Sequence, residues 1–306
     1  MANSVKIPGS ANTVNVPPEA VVDTSAWELV KEFDFTDQSA HTFSDNGTHS
    51  IGGVTWTARN VSKSSSFELK SGGGGLEIGS AFETSGGVSI ASNRWYSTVQ
   101  NGPALVADLS DIVSGYDLND TVVLQCLMTA EATTIQSDGD EGSQYLFAGI
   151  LGTDGGYGNS GGGNWYTSTW YRRLSASTNY FYSRYGGGAS ATMGDNDAQA
   201  DTGGGAATFL ELVMYPGTGY SSAGSLDTSF QDPLTVTGGR FYGNMQTTLP
   251  KNIGSSGTTS PGANPAFTLR PDNLHCALYF SYLTTGGNRA SAGKVTYSKF
   301  RVLKRK

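Results

Sequence analysis

Carboxylates are the first residues in this chain that could do chemistry. Glu77 and Glu83 flank the segment IGSAF. Two acids held across a glycosidic bond can hydrolyse it, but Gly79 interrupts the alternation that would hold these two on one strand face. Asp138, Asp140 and Glu141 (SDGDEGS) read as a solvated turn. Calcium needs more oxygen ligands at fixed loop positions than that turn, or Asp195, Asp197 and Asp201, can supply. His41, His49 and His275 are scattered, and with only two cysteines no zinc set can be assembled. Gly158–Gly162 fits G-x-S-x-G and Gly156–Gly161 fits G-x-G-x-x-G. Both motifs work only between a strand and a helix, and these matches lie inside a glycine run. The segment GNRASAGKV (287–295) misses the phosphate-loop spacing and has Val after Lys294 where a hydroxyl is needed. The expectation is a protein without catalytic residues, metal or cofactor.

Recognition chemistry remains. In NWYTSTWYRRL, Trp165, Thr167, Thr169, Tyr171 and Arg173 alternate with Tyr166, Ser168, Trp170, Arg172 and Leu174. The next strand sets Tyr180, Tyr182 and Arg184 against Phe181, Ser183 and Tyr185. Tyr, Trp and Arg are the side chains that anchor protein interfaces, and sugar rings stack on aromatic faces. Large sheets also use aromatic pairs simply to pack. Three readings stand: sheet packing, a protein interface and a glycan site. On the two binding readings the site comprises Trp165, Tyr166, Trp170, Tyr171, Arg172, Tyr182 and Arg184, with Tyr166, Trp170 and Arg172 on the solvent side. The runs Gly155–Gly163 and Gly186–Gly188 are expected as exposed loops at the ends of the two strands, since glycine loses the most backbone entropy on ordering.

Those residues need strands to hold them, and the rest of the chain supplies strands almost exclusively. Glycine is heavy, at 42 of 306 residues, and clusters between runs of β-branched and aromatic residues. In WELVKEFDF, Trp27, Leu29, Phe33 and Phe35 form an apolar face against Glu28, Glu32 and Asp34. Similar runs recur at 54–59, 66–70, 75–79, 88–91, 104–109, 121–130, 144–151, 164–174, 178–185, 207–215, 239–243, 266–270, 274–283 and 293–304. Helical spacing is sustained nowhere, and only ADLSDIVSGY allows a helical turn, with Ser110 as its cap. Cys126 and Cys276 each share a strand face with Val, Leu, Met or Phe, so both sulfurs are expected in the core, as thiols or, where the two strands are neighbours, as a disulfide. The net charge of −7 offers nucleic acid no electrostatic footprint. No apolar run nears the ~20 residues of a membrane-spanning helix, and no leader core precedes the strands. Residues 1–26 alternate Val5, Ile7, Val14 and Val16 with Pro8, Gly9, Pro17 and Pro18. They read as an extended arm, either free or laid on a neighbouring subunit. Residues 27–306 form the folded domain, an all-β, two-sheet antiparallel sandwich.

LVKEFDFTD, PALVADLSDIVSGYDLNDTVVLQCLMT and the closing GKVTYSKFRVLKR together resemble the concanavalin A-like jelly-roll sandwich of lectins, laminin-G domains and glucanases. In that family a φ-x-F-D-F opening strand pairs near a closing Y-x-x-F-x-V strand. Its glycosidases carry E-x-D-x-x-E on one strand, a motif lacking here. The acidic, glycine-rich composition and pliant arm also resemble structural proteins of tailed-phage virions. The resemblance implies a head-decoration or fibre component assembled in the host cytoplasm. It would be a homo-oligomer that contacts other virion proteins and, in some cases, a surface glycan. A lectin module is the alternative, and a glycoside hydrolase or lyase of the same fold a third reading.

Overall fold

A computed structural model describes residues 4–6, 13–15, 27–80, 102–115, 122–135, 144–153, 164–173, 179–187, 198–200, 207–214, 240–243, 274–284 and 291–305. The strands expected at 88–91 and 266–270, the acidic turn at 138–141, the glycine run 155–163 and Asp195, Asp197 and Asp201 lie outside these residues.

The described chain is strand throughout, apart from turns and two short 3-10 segments, Phe35–Asp37 and Val61–Lys63. Two three-residue strands, β1 (Ser4–Lys6) and β2 (Thr13–Asn15), pair only with each other, and Val5 stands opposite Val14. Ile7 and Val16 lie outside the described residues. There follow β3 (Trp27–Asp34), β4 (His41–Thr42), β5 (Thr48–Ile51), β6 (Val54–Arg59), β7 (Ser64–Lys70) and β8 (Gly75–Ser80). The middle of the chain gives β9 (Ala104–Asp108), β10 (Val122–Ile135), β11 (Gln144–Thr153), β12 (Asn164–Arg173) and β13 (Asn179–Gly187). The last strands are β14 (Ala198–Ala200), β15 (Ala207–Met214), β16 (Arg240–Gly243), β17 (His275–Thr284) and β18 (Ser291–Arg305).

They build two eight-stranded sheets. Sheet I runs β16-β15-β10-β18-β8-β7-β4, with β3 also on β18. Sheet II runs β14-β13-β12-β11-β17-β9-β6-β5. One apolar cluster contains inward residues of both, among them Phe33, Phe67, Leu124 and Val302 from sheet I and Trp56, Leu105, Ile150 and Leu278 from sheet II. The sheets therefore face each other over a shared core. Long β18 organises sheet I: its first half pairs with β8 and its second with β3, while β10 runs along its other side. The opening and closing strands meet with Phe33 opposite Phe300. Their rings enclose Trp56 of the facing sheet, edge-on at 5.1 Å from Phe33 and 5.8 Å from Phe300. Such edge-to-face packing is the geometry that aromatic quadrupoles favour.

Four local expectations need correcting. Leu29 is 52% exposed rather than buried. The β3–β18 register slips beside it, so Val30 takes the inward position and packs on the core; one extra residue reverses the alternation. The turn after β9 is capped by Asp108, whose carboxylate accepts from the amide and hydroxyl of Ser110. The antiparallel pattern fails at one edge, where β15 and β16 run parallel. Gly186 and Gly187 belong to β13, and Gly186 pairs with Trp165. Between β7 and β8, in contrast, glycine is obligatory. Gly75 has φ +76°, and a Cβ there would lie 2.6 Å from the carbonyl oxygen of Tyr297.

Candidate functional site

β12 and β13 do lie side by side, with Tyr166 opposite Tyr185, Thr169 opposite Tyr182, Thr167 opposite Arg184 and Arg172 opposite Asn179. Their facing differs from the sequence-based expectation. Trp170 is 2% exposed and belongs to the core between the sheets. On β11 it stands opposite Ala148, whose small side chain leaves space for the indole. The expectation that Trp170 stands on the solvent side is therefore corrected. The same register puts Trp165 opposite Gly186 and Tyr171 opposite Tyr180.

The outward face of sheet II, exposed at Thr48, Ser50 and Thr55 of β5 and β6, is itself covered along β12, β11 and β17. Phe147, Leu151, Thr167, Thr169, Ala277, Tyr279 and Ser281 are all buried there, opposite in parity to the core-facing Leu146, Ile150, Cys276, Leu278 and Phe280. A strand buried on both faces reads as a continuous apolar run. YLFAGIL in β11 and CALYF in β17 carried that signal. Within this layer the Tyr279 hydroxyl meets those of Thr167, at 2.9 Å, and Thr169. The two threonine hydroxyls meet each other at 2.8 Å, and Thr167 donates to the Ile150 carbonyl. Tyr279 can reach across β11 because the residue between it and Thr169 is Gly149, which has no side chain. The three hydroxyls satisfy one another, as buried polar groups must.

Sheet I is polar on its outward face along β3, β7, β8 and the part of β18 beside them, whereas Val123 and Gln125 of β10 are buried there. Glu32 pairs with Arg301 and Lys299, and Lys299 also reaches Asp34 at 3.2 Å. Glu77 is the most enclosed acid there. Its carboxylate takes Lys70 at 2.8 Å, Lys294 at 3.7 Å and the Ser66 hydroxyl at 3.0 Å. Burial pushes its pKa up, but Lys70, Ser66 and Lys294 together outweigh that and hold the carboxyl below its ordinary range. A depressed carboxyl stabilises the fold fully above its unfolded value, ordinarily 4.5, and the contribution is lost as pH falls through the lower folded value. Urea midpoints should therefore fall on acidification below that ordinary value, and Glu77→Gln should flatten the slope. An unchanged slope in Glu77→Gln would assign the acid sensitivity to other groups.

Cys126 and Cys276 are buried free thiols in opposite sheets. Burial raises both pKa values, that of Cys276 to about 12. They serve as small core hydrophobes, as their strand faces implied. Among the described residues no three His, Cys, Asp or Glu side chains gather in a way that could hold a metal ion. No helix there is long and apolar enough to cross a membrane.

The fold defines an all-β protein of two facing, largely antiparallel sheets. No protein-family model, curated protein or solved structure matches the chain.

Proposed function

We propose that this chain is a non-enzymatic binding protein: a concanavalin A-like jelly-roll sandwich that serves in a tailed-phage virion, as head decoration or fibre component, and assembles as a homo-oligomer. The pairing of the F-D-F strand with the closing Y-x-x-F-x-V strand supports the jelly-roll reading. The observation that carries the binding reading is the β12–β13 register. It brings Trp165, Tyr171, Tyr182 and Arg184 onto two neighbouring strands near the β14 end of sheet II. Those are the residue types that dominate interface hot spots. Glu77, one of the two acids that flank IGSAF, is clamped as an anion. That suits a structural role, since a general acid needs a raised pKa. The virion assignment is supported by composition, by the arm-like residues 1–26 and by the fold class.

Sedimentation of the full chain tests this reading. The expected result is a trimer or larger assembly, converted to smaller species by Arg184→Glu with the circular dichroism spectrum unchanged. A chain that stays monomeric at micromolar concentration refutes self-assembly. If such a monomer binds a glycan array, and Arg184→Glu abolishes that binding, the β12–β13 pair belongs to a lectin module instead.

A further inference from the structure

We propose that His41 and His49 form a pH-operated latch that holds the two sheets together at one edge of the sandwich and releases them on acidification. β4 is the last strand of sheet I and β5 the last of sheet II among the described residues. His41 stands opposite Leu69 and His49 opposite Trp56, both core residues, so each imidazole occupies an inward position at its sheet's margin. The rings stack with centroids 3.8 Å apart and planes 17° from parallel. Phe43 lies beneath the stack, edge-on at 4.7 Å from His41 and 5.9 Å from His49, and leads to Phe67 at 5.1 Å. The stack thus closes the apolar interior between two strands that share no backbone hydrogen-bond ladder.

Neutral imidazoles stack well in this position. Two imidazolium rings stacked this closely over an apolar floor would repel each other. Burial and then the charge of His41 hold the His49 pKa below its ordinary value. The charged groups on the surrounding elements do not offset this. Glu68 and Lys70 of β7 point outward and pair with each other. Arg59 of β6 donates to the Asn46 side chain, and Asp45 accepts from the Val61 amide. Asp37, ahead of β4, Lys31, beside the β5–β6 turn, and Lys63 complete the set, and no described carboxylate forms an ion pair with either ring. A histidine with a depressed folded pKa is stabilising above its unfolded value, and that stability is lost as pH falls below it. The edge should hold at neutral pH and loosen in mild acid, with β5 fraying from β6.

Amide hydrogen exchange of the full chain, with β10 as the internal reference, tests the latch. Relative to β10, protection of Thr48–Ile51 should fall by about tenfold or more between about pH 7.5 and about pH 5. His41→Phe with His49→Phe keeps two rings and removes both charges, so its edge protection should not change with pH. His41→Phe alone should raise the His49 pKa followed by NMR. Should the double substitution misfold, His49→Gln supplies the same comparison with one charge removed. Unchanged wild-type protection across that range overturns the proposal, as does an equal loss in the charge-free variants.

Discussion

Trp170→Ala is expected to destabilise the fold by about 3–5 kcal/mol, the range for deleting a large aromatic from a packed core. The indole is 2% exposed and shares the interior cluster with Leu146, Ala148 and Ile150 of its own sheet and Leu210 and Leu212 of the facing one. Removing it opens a void that rigid strands on both sides cannot close, so a cavity cost adds to the lost transfer energy. Urea titration should show a lower midpoint with little change in slope. Molecules that remain folded should assemble, or bind a glycan, as the parent does. Arg184→Glu should do the reverse, leaving the midpoint in place while changing assembly. A Trp170→Ala variant with parental stability and lost assembly would return the indole to an interface.

The misplacement of Trp170 shows what alternation can and cannot resolve. The strands themselves were legible: runs such as VTWTAR and ATFLELVM coincide with β6 and β15 because β-branched and aromatic residues favour the pleated, half-buried surface. Facing is legible only when one parity is polar, as in β7, where Phe67 and Leu69 alternate with Ser66, Glu68 and Lys70. β12 carries aromatics at both parities, so the decision passes to the opposing residue. That residue is Ala148, a partner which only the tertiary register reveals. Leu29 failed for a different reason, since a bulge changes parity without leaving a mark in the sequence. β4 and β5 were invisible because HT and THSI are short and mostly polar. The stacked histidines they carry lie eight positions apart in sequence, on different sheets. The doubly covered strands were within reach, since YLFAGIL lacks a polar parity altogether.

The second large effect is expected from a much smaller change, Tyr297→Phe, at about 2–4 kcal/mol. Tyr297 stands on β18 of sheet I, and its hydroxyl crosses the interior to the backbone of sheet II. It accepts from the Gly149 amide at 3.0 Å and faces the carbonyls of Tyr279 at 2.7 Å and Gly149 at 2.9 Å, sharing its one proton between them. All of these groups are buried, so no water replaces the lost oxygen, and each group left unsatisfied costs roughly 1–3 kcal/mol before relaxation. Phenylalanine fits the same space, which confines the loss to hydrogen bonding. Tyr279→Phe is the matched control. Its hydroxyl is equally buried, yet Thr167 and Thr169 would still bond to each other and Thr167 to the Ile150 carbonyl. That control should lose only about 1 kcal/mol. In Tyr297→Phe the amides of Gly149 and its β17 neighbours should also exchange faster, because a tie between the two sheets has been cut. If both variants lose the same stability, or Tyr279→Phe loses more, the Tyr297 hydroxyl is not what joins sheet I to the centre of sheet II.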